Sequence, residues 1–365
     1  MLARILALVL KELASLWKDP KTRFILVIPP LLQVMIFSHA VTYDVTGAAL
    51  AVWNEDRGSI AGELVRRFAG SPGFTLVAAP DGPAQAGALI DAKDAVAVLH
   101  IPARFSADVL SGRGAVVQLL VDARRSNTAL LVQGYAATIV AQYAAERSGL
   151  KPPIVIDTRD WFNPTLEPTW FVLPALVAML SLLIGMMVAA LSLARERELG
   201  TFEQMLVTPL RPAEIMVGKA LPAMLVGVFE AHIVIFAAVL WFHMPFIGSP
   251  VLLEAALLVY LLAGVGIGLA ISSVAQTQQQ AILGVFLYAS PAIVLSGFAA
   301  PIENMPVAVQ WLSLIDPVRW MLVVSRGVLL QGMQWDLAFA AIWPMALIGL
   351  ATLTIAALMV RRAVA

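Results

Sequence analysis

Few side chains in this sequence have the chemistry to make or break a bond. Its 365 residues include no cysteine and four histidines, His39, His100, His232 and His243, scattered along the chain. Disulfides, thiol catalysis and cysteine zinc sites are excluded. A phosphate-cradling P-loop needs G-x-x-x-x-G-K-[S/T]. The only Gly-Lys pair, Gly218-Lys219, has Ala213 where the first glycine belongs and Ala220 where the hydroxyl belongs. Ser111-Gly112-Arg113-Gly114 is too short for a dinucleotide fingerprint and reads as a tight turn. No nucleophile is paired with a base, so no catalytic residue and no metal ligand is assigned. What remains is charge in unusual places. Glu230 and His232 lie inside an apolar run, where a charge costs at least ~2.5–3.5 kcal/mol on insertion scales. They are read as lining a translocation route or a subunit interface. The plainer alternative is a shifted span with Glu230 buried as a neutral acid hydrogen-bonded to a neighbouring helix. A second concentration of charge runs from Arg195 to Lys219. Arg195, Glu196, Arg197 and Glu198 end an apolar run at the membrane surface, and Gly200 permits a sharp turn. Thr201 and Glu203 suit the start of a short helix, which Thr208-Pro209 stops. A further helix begins near Arg211-Pro212, ahead of Glu214. A short charged helix pinned between two spans can transmit a push from a cytosolic partner; a mere connecting loop is the alternative.

The elements that hold these residues are set by composition. The hydrophobic fraction is 60% and the charged fraction 13%, against roughly 45–50% and about 25% for soluble globular chains. Too little polar side chain exists to cover a water-soluble surface. Half of the charges, 11 Lys and Arg with 13 acids, fall between Thr42 and Trp170. This is an α-helical polytopic membrane protein with one water-exposed insert. A net charge of zero gives no reason to expect nucleic acid.

A span needs about 20 mostly apolar residues, and six stretches qualify: Phe24–Val41, Phe171–Ala194, Ala220–Phe242, Val251–Ala275, Ala281–Ala300 and Leu337–Val360. The fourth and fifth form a helical hairpin about the polar turn Gln276-Thr277-Gln278-Gln279-Gln280. With the N-terminus inside, the inner segments carry eleven Lys and Arg, while the short outer loops carry only Arg319 and Arg326. Both termini are therefore expected inside and the insert outside. Ser38-His39-Ala40 resembles a small-x-small cleavage site, but the preceding charged stretch is longer than a usual leader. Residues 1–19 are a separate object, with Arg4, Lys11, Ser15 and Lys18 on one narrow helical face. That pattern predicts a basic amphipathic helix in the inner interface, ended by Asp19-Pro20 before the first span, 24–41.

The insert, 42–170, alternates strand-like with helix-like runs. Ala48–Trp53, Phe74–Val77, Ala95–His100, Val116–Val121 and Ile154–Asp157 have strand character. Ser59–Ala69, Pro83–Asp91, Ala103–Leu110 and Thr128–Arg147 have helical spacing. The alternation predicts a compact α/β domain without chemistry of its own. Gly264, Gly266 and Gly268 allow close helix contact. The segment 301–332, with Met305-Pro306 and Asp316-Pro317, is read as short helices dipping into the outer face.

The loop Ala194-Arg-Glu-Arg-Glu-Leu-Gly200-Thr201-Phe-Glu203, continuing through Thr208-Pro209 and Glu214 to Gly218-Lys219, resembles the inner coupling loop of type-2 ATP-binding-cassette (ABC) transporter permeases. Leu295–Pro306, Leu314–Pro317 and Ser325–Gly332 resemble the same family's segment before its last span. In the insert, Ile101-Pro102-Ala-Arg-Phe105-Ser106 and Trp161-Phe162-Asn163-Pro164 resemble the family's large outer domain. Val318 and Gln331 depart from its usual residues. The resemblance covers the whole chain, in a five-helix region 171–365 with coupling loop 195–219. It implies a permease subunit in a bacterial inner membrane, exporting a drug, lipid or other amphiphile. It implies that Glu196, Arg197, Glu198, Gly200, Thr201, Glu203, Thr208, Pro209 and Glu214 couple to a cytosolic ATPase subunit. ATP and Mg would sit on that subunit, with none bound here. A second permease, identical or not, would pair with this one, and docking of a periplasmic adaptor stays open. The competing reading is a membrane-anchored receptor or sensor whose outer domain binds a ligand and signals through a partner.

Overall fold

The computed structural model describes residues 2–18, 20–40, 47–124, 126–148, 161–164, 167–201 and 211–364. The chain forms two compact units, residues 42–159 and residues 1–41 with 160–365.

The first unit is α/β. Strands β1 (Ala48–Asn54), β2 (Phe74–Ala78), β3 (Ala97–Ile101) and β4 (Gln118–Val121) make one sheet in the order β2-β1-β3-β4. β1 runs parallel to β2 and β3, while β4 is antiparallel to β3. Period-two alternation decides the faces. Leu50, Val52, Leu99 and Ile101 pack under helices Ser59–Ala69 and Ser126–Ser148, together with Leu64, Phe68 and Val132. Ala51 and Val98 face the other way, against Ala86 of helix Pro83–Asp91. A fourth helix, Phe105–Leu110, follows β3. The expected strand Ile154–Asp157 lies outside the described residues.

The carboxylate of Asp56, just past β1, ties two loops together. It accepts from the backbone N–H of Gly58 at 2.6 Å and from that of Ser106. Burial alone would raise its pKa, but these amides outweigh it and hold Asp56 below the ordinary aspartate value.

The second unit is helical. Helix α1 spans Leu2–Lys18 and α2 spans Pro20–Ala40. To keep labels in one series across both units, the four helices of the α/β unit count as α3 to α6. The remaining helices are α7 (Pro168–Glu198), α8 (Pro212–Phe236), α9 (Pro250–Val274), α10 (Gln278–Leu295), α11 (Val307–Ser313), α12 (Pro317–Arg326) and α13 (Trp335–Val364). Single π-helical turns continue α8 over Ala237–Trp241 and α12 over Gly327–Gln331. Among the described residues, five helices are long and apolar enough to cross a membrane. A sixth crossing arises if α11 and α12 with its π-turn, which meet at a 78° bend, count as one. α2, the expected first span, carries a shorter apolar stretch, Val27–His39. Lys21, Thr22 and Arg23 make its opening polar, and Pro29 and Pro30 lie within it. The bend between α11 and α12 falls at Asp316, whose carboxylate caps α12 through the Val318 N–H at 3.0 Å.

Helix α7 is the axis of this unit, with Val172, Leu173, Val177, Met186 and Ala190 fully buried. Glycines let the neighbours close on it and on one another. A Cβ on Gly268 of α9 would stand 2.4 Å from the Met186 carbonyl oxygen. One on Gly264 would meet Leu182 of α7, and one on Gly266 would meet Thr352 of α13. The three glycines therefore serve packing on two sides of α9. Buried hydroxyls spend their protons on carbonyls within the bundle, as when Tyr260 donates to Ala178 at 2.7 Å and Ser325 to Pro174 at 3.0 Å.

Candidate functional site

The C-terminal end of α7 gathers the charges that the sequence concentrates after residue 194, and it sends three consecutive side chains to different helices. Glu196, only 6% exposed, accepts from Lys11 of α1 at 2.7 Å and from Lys219 of α8 at 3.2 Å. Arg197 donates to the carbonyls of Ala275 at 2.9 Å and Ser272 at 3.3 Å, at the C-terminal end of α9. Glu198 accepts from the backbone N–H of Gln278 at 2.9 Å, at the first turn of α10. The polarities are those a helix dipole favours, a cation at one C-terminus and an anion at one N-terminus. Ser272 tightens the joint, its hydroxyl accepting from the N–H groups of Leu193 and Ala194 at 3.0 and 3.2 Å.

Lys219 is the most enclosed member. None of its side chain is exposed, and its ammonium donates to Glu12 at 3.1 Å, to Glu196 and to the Ser192 carbonyl at 3.2 Å. Two cations, Lys11 and Lys219, thus meet two anions, Glu12 and Glu196. Burial by itself draws the Lys11 ammonium down, but Glu196 and Glu12 outweigh it and hold it above its ordinary value. The pairing depends on how α1 seats. Leu8 and Val9 are buried, and Leu8 lies where a Cβ on Gly218 would come within 2.4 Å of it. A larger residue at 218 would lift α1 and withdraw Glu12 and Lys11 from their partners. The opposite side of α1 exposes Leu2, Leu6, Leu10 and Trp17, an apolar stripe suited to lipid.

α7 ends in a Schellman cap. Gly200 takes φ +70°, its N–H bonds to the Arg197 carbonyl at 3.0 Å, and the Thr201 N–H bonds to the Glu196 carbonyl at 2.9 Å. The Thr201 hydroxyl follows it to the same carbonyl at 3.3 Å. Thr201 therefore closes α7, the left-handed turn at Gly200 folding the chain back; the short helix expected after it lies outside the described residues. Glu203, Thr208 and Pro209 lie outside the described residues. Glu214 is buried in the first turn of α8, where it accepts from the backbone N–H of Arg211 at 2.8 Å. Here it stabilises a helix start.

The structure does not keep Glu230 and His232 together. Glu230 has no exposed surface, and neither carboxylate oxygen has a hydrogen-bond partner among the described residues. The neighbouring-helix hydrogen bond offered by the plainer reading is absent there. His232, two residues on, turns to the other side of α8 and lies 3.5 Å from Glu254 of α9, both about 40% exposed. Two residues along a helix turn the side chain through some 200°, which separates them. Lys11, Glu12 and Lys219 escaped the sequence reading, since Glu12 and Lys219 stand 207 residues apart. The available signal was a lysine at the mouth of an apolar run, which needs an acid from elsewhere to be buried. Among the described residues no group of His, Asp and Glu is arranged to hold a metal ion.

Residues 21–358 match the family described as ABC-2 family transporter protein. The chain is 40% identical, over the full length of both proteins, to the "Probable multidrug ABC transporter permease YbhR" of Escherichia coli strain K12. It is 29% identical to that organism's "Probable multidrug ABC transporter permease YbhS", over 90% of this chain and 89% of the relative. It is 28% identical to its "Inner membrane transport permease YhhJ", over 100% of this chain and 98% of the relative.

Proposed function

Because this chain belongs to the ABC-2 family of transporter proteins, we propose that the joint at the C-terminal end of α7 is where a cytosolic ATPase subunit drives its helices. The chain is a multi-pass inner-membrane export permease, and ATP is hydrolysed on a separate subunit. ATP and Mg belong to that subunit in this reading. The observation that carries it is the three-way division of Glu196, Arg197 and Glu198 among α1 with α8, α9 and α10. A displacement of the loop that follows Gly200 is thereby handed to four helices together. Glu203, Thr208, Pro209 and Glu214 belong to the same coupling loop by their place in the sequence.

The cargo is read as a drug, a lipid or another amphiphile, the class that the names of two relatives suggest. A second permease subunit completes the pathway. The occurrence of both a YbhR and a YbhS permease in one organism favours two unlike chains over two copies, and the outer α/β unit is a surface for a periplasmic adaptor. The test is the complex of this chain with its ATPase subunit in liposomes. Arg197→Ala with Glu198→Ala is expected to leave ATP hydrolysis measurable while ATP-driven efflux falls at least about tenfold, on the scale of losing two charge-assisted hydrogen bonds. Retention of full efflux, or failure of any ATPase subunit to copurify, defeats the reading.

A further inference from the structure

Among the described residues, the fully buried ionic groups of the helical unit have a partner for at least one side-chain atom, with one exception. Lys219 has Glu12 and Glu196, Glu214 has the Arg211 N–H, and Asp316 has the Val318 N–H for one oxygen and no partner for the other. Glu230 has no partner for either oxygen among them. Its side chain is sealed within this one chain, with no exposed surface, so neither lipid headgroups nor the face of a second subunit supplies the missing partner. His232 is taken by Glu254, and α8 carries no Lys or Arg beyond Lys219. A carboxyl held so deep without a partner is costly, and intramembrane acids mark substrate, ion or proton pathways.

The helix that bears it is built to move. Pro222 lies two turns before Glu230 within α8 and removes a backbone hydrogen bond. The π-turn Ala237–Trp241 lies two turns after it, a feature that concentrates at functional sites. Between these breaks α8 packs closely on α7, Gly227 lying against Gly185 and the Ser181 carbonyl, with Ala231 and Val234 in the shared core. A segment bracketed by two breaks in the regular hydrogen-bond ladder can rotate as a unit, and that rotation would carry Glu230 out of its seal. His232 and Glu254 lie on the other side of α8 and would part in the same motion.

We propose that Glu230 accepts the positive charge of a lipophilic monocation carried by this exporter. The surroundings favour an ion whose charge is spread under apolar surface over a small hydrated one. Leu261 packs on Gly227 one turn away, and Ala231 and Val234 join the hydrophobic core. Shedding the water of a compact ion there would be offset by a single carboxylate, with no further ligand to complete its shell. The inference rests on the exporter reading above.

The probe is tetraphenylphosphonium, with the permease and its ATPase subunit together in inside-out vesicles. Phosphonium moved per ATP hydrolysed is expected to fall at least about tenfold in Glu230→Gln and to be partly restored in Glu230→Asp, on the scale of removing one desolvated charge contact. A wild-type rate in Glu230→Gln overturns the inference, as does a wild-type complex that carries no phosphonium. Should the variant fail to assemble, the unaltered complex decides the matter. A hydrophobic carbodiimide is expected to modify Glu230, read by mass spectrometry, and phosphonium is expected to slow that modification by about fivefold or more, as an occupied site would. Unchanged labelling overturns the inference. The labelling needs no ATP, so an inactive ATPase would count against the exporter reading alone.

Discussion

The ammonium of Lys219 lies 3.2 Å from the carboxylate of Glu196, and no part of the lysine side chain is exposed. The two residues belong to different spans, and Glu12 and Lys11 of α1 complete the same neutral cluster. Removing one partner from a buried pair leaves an uncompensated charge, at a cost of about 3–5 kcal/mol. Lys219→Met is therefore expected to lower the thermal unfolding temperature of the detergent-solubilised permease. Lys219→Met with Glu12→Gln restores neutrality and is expected to recover at least half of the loss. A thermal-shift series on the two variants checks this, and a double variant no better than the single one refutes it.

The glycines make a second, paired expectation. At Gly268 a methyl group would press on the backbone oxygen of Met186 at 2.4 Å, so Gly268→Ala should cost about 1–3 kcal/mol through forced separation of α7 and α9. Gly134 of helix Ser126–Ser148 has nothing within 4 Å of the same position. Gly134→Ala should stabilise the outer unit by roughly 0.5–1 kcal/mol. The opposite signs are readable by hydrogen exchange on the full-length protein, and a neutral Gly268→Ala would mean the helices are not in that contact.

Acid should act on the outer unit through Asp56. Its pKa is held below the ordinary 3.8 by the amides of Ser106 and Gly58, against the upward pull of burial. A carboxylate with a depressed folded pKa contributes stability that is fully present above the unfolded value and is lost as pH falls through the folded one. Protection of the β1–α3 amides should hold down to pH near 4 and decline below it. Asp56→Asn should weaken protection at neutral pH and remove that part of the acid dependence, as monitored by proteolysis of the intact chain.

The absence of cysteine allows a clean test of orientation. Val116 is 77% and Leu199 68% exposed. A single cysteine at 116 is expected to react with an impermeant maleimide in intact spheroplasts, and one at 199 only after permeabilisation. The reverse pattern would invert the assigned topology.

The four strands and four helices of the outer unit could be read because each is announced locally. Alternation at Leu50, Ala51, Val52 and punctuation by Gly58, Gly82 and Pro83 need no knowledge of the rest of the chain. The span helices announced themselves by apolar length. Glu198 and Arg197 were visible as a surface charge cluster, but their partners are a backbone N–H at Gln278 and a carbonyl at Ala275, which no side-chain pattern reveals. Lys11, Glu12 and Lys219 were hidden by distance along the chain. The same helix that looks freely interfacial by its basic face in fact turns its one acid inward to Lys219. Glu230 and His232 were given one role because both interrupt the same apolar run, whereas the helix turn between them sends one into the bundle and the other to Glu254.

The cluster around Lys219 also sets an order of assembly during synthesis. Glu12 leaves the ribosome 207 residues before its lysine, an interval of roughly 10–40 s at ordinary elongation rates. Throughout that time the first helix has no socket, and its two charged partners must stay hydrated at the membrane surface. Helix α1 is made before its socket and docks late. A nascent chain with α7 or α8 inverted would leave Lys11 and Glu12 without their partners and α1 held at the membrane surface by its apolar stripe alone.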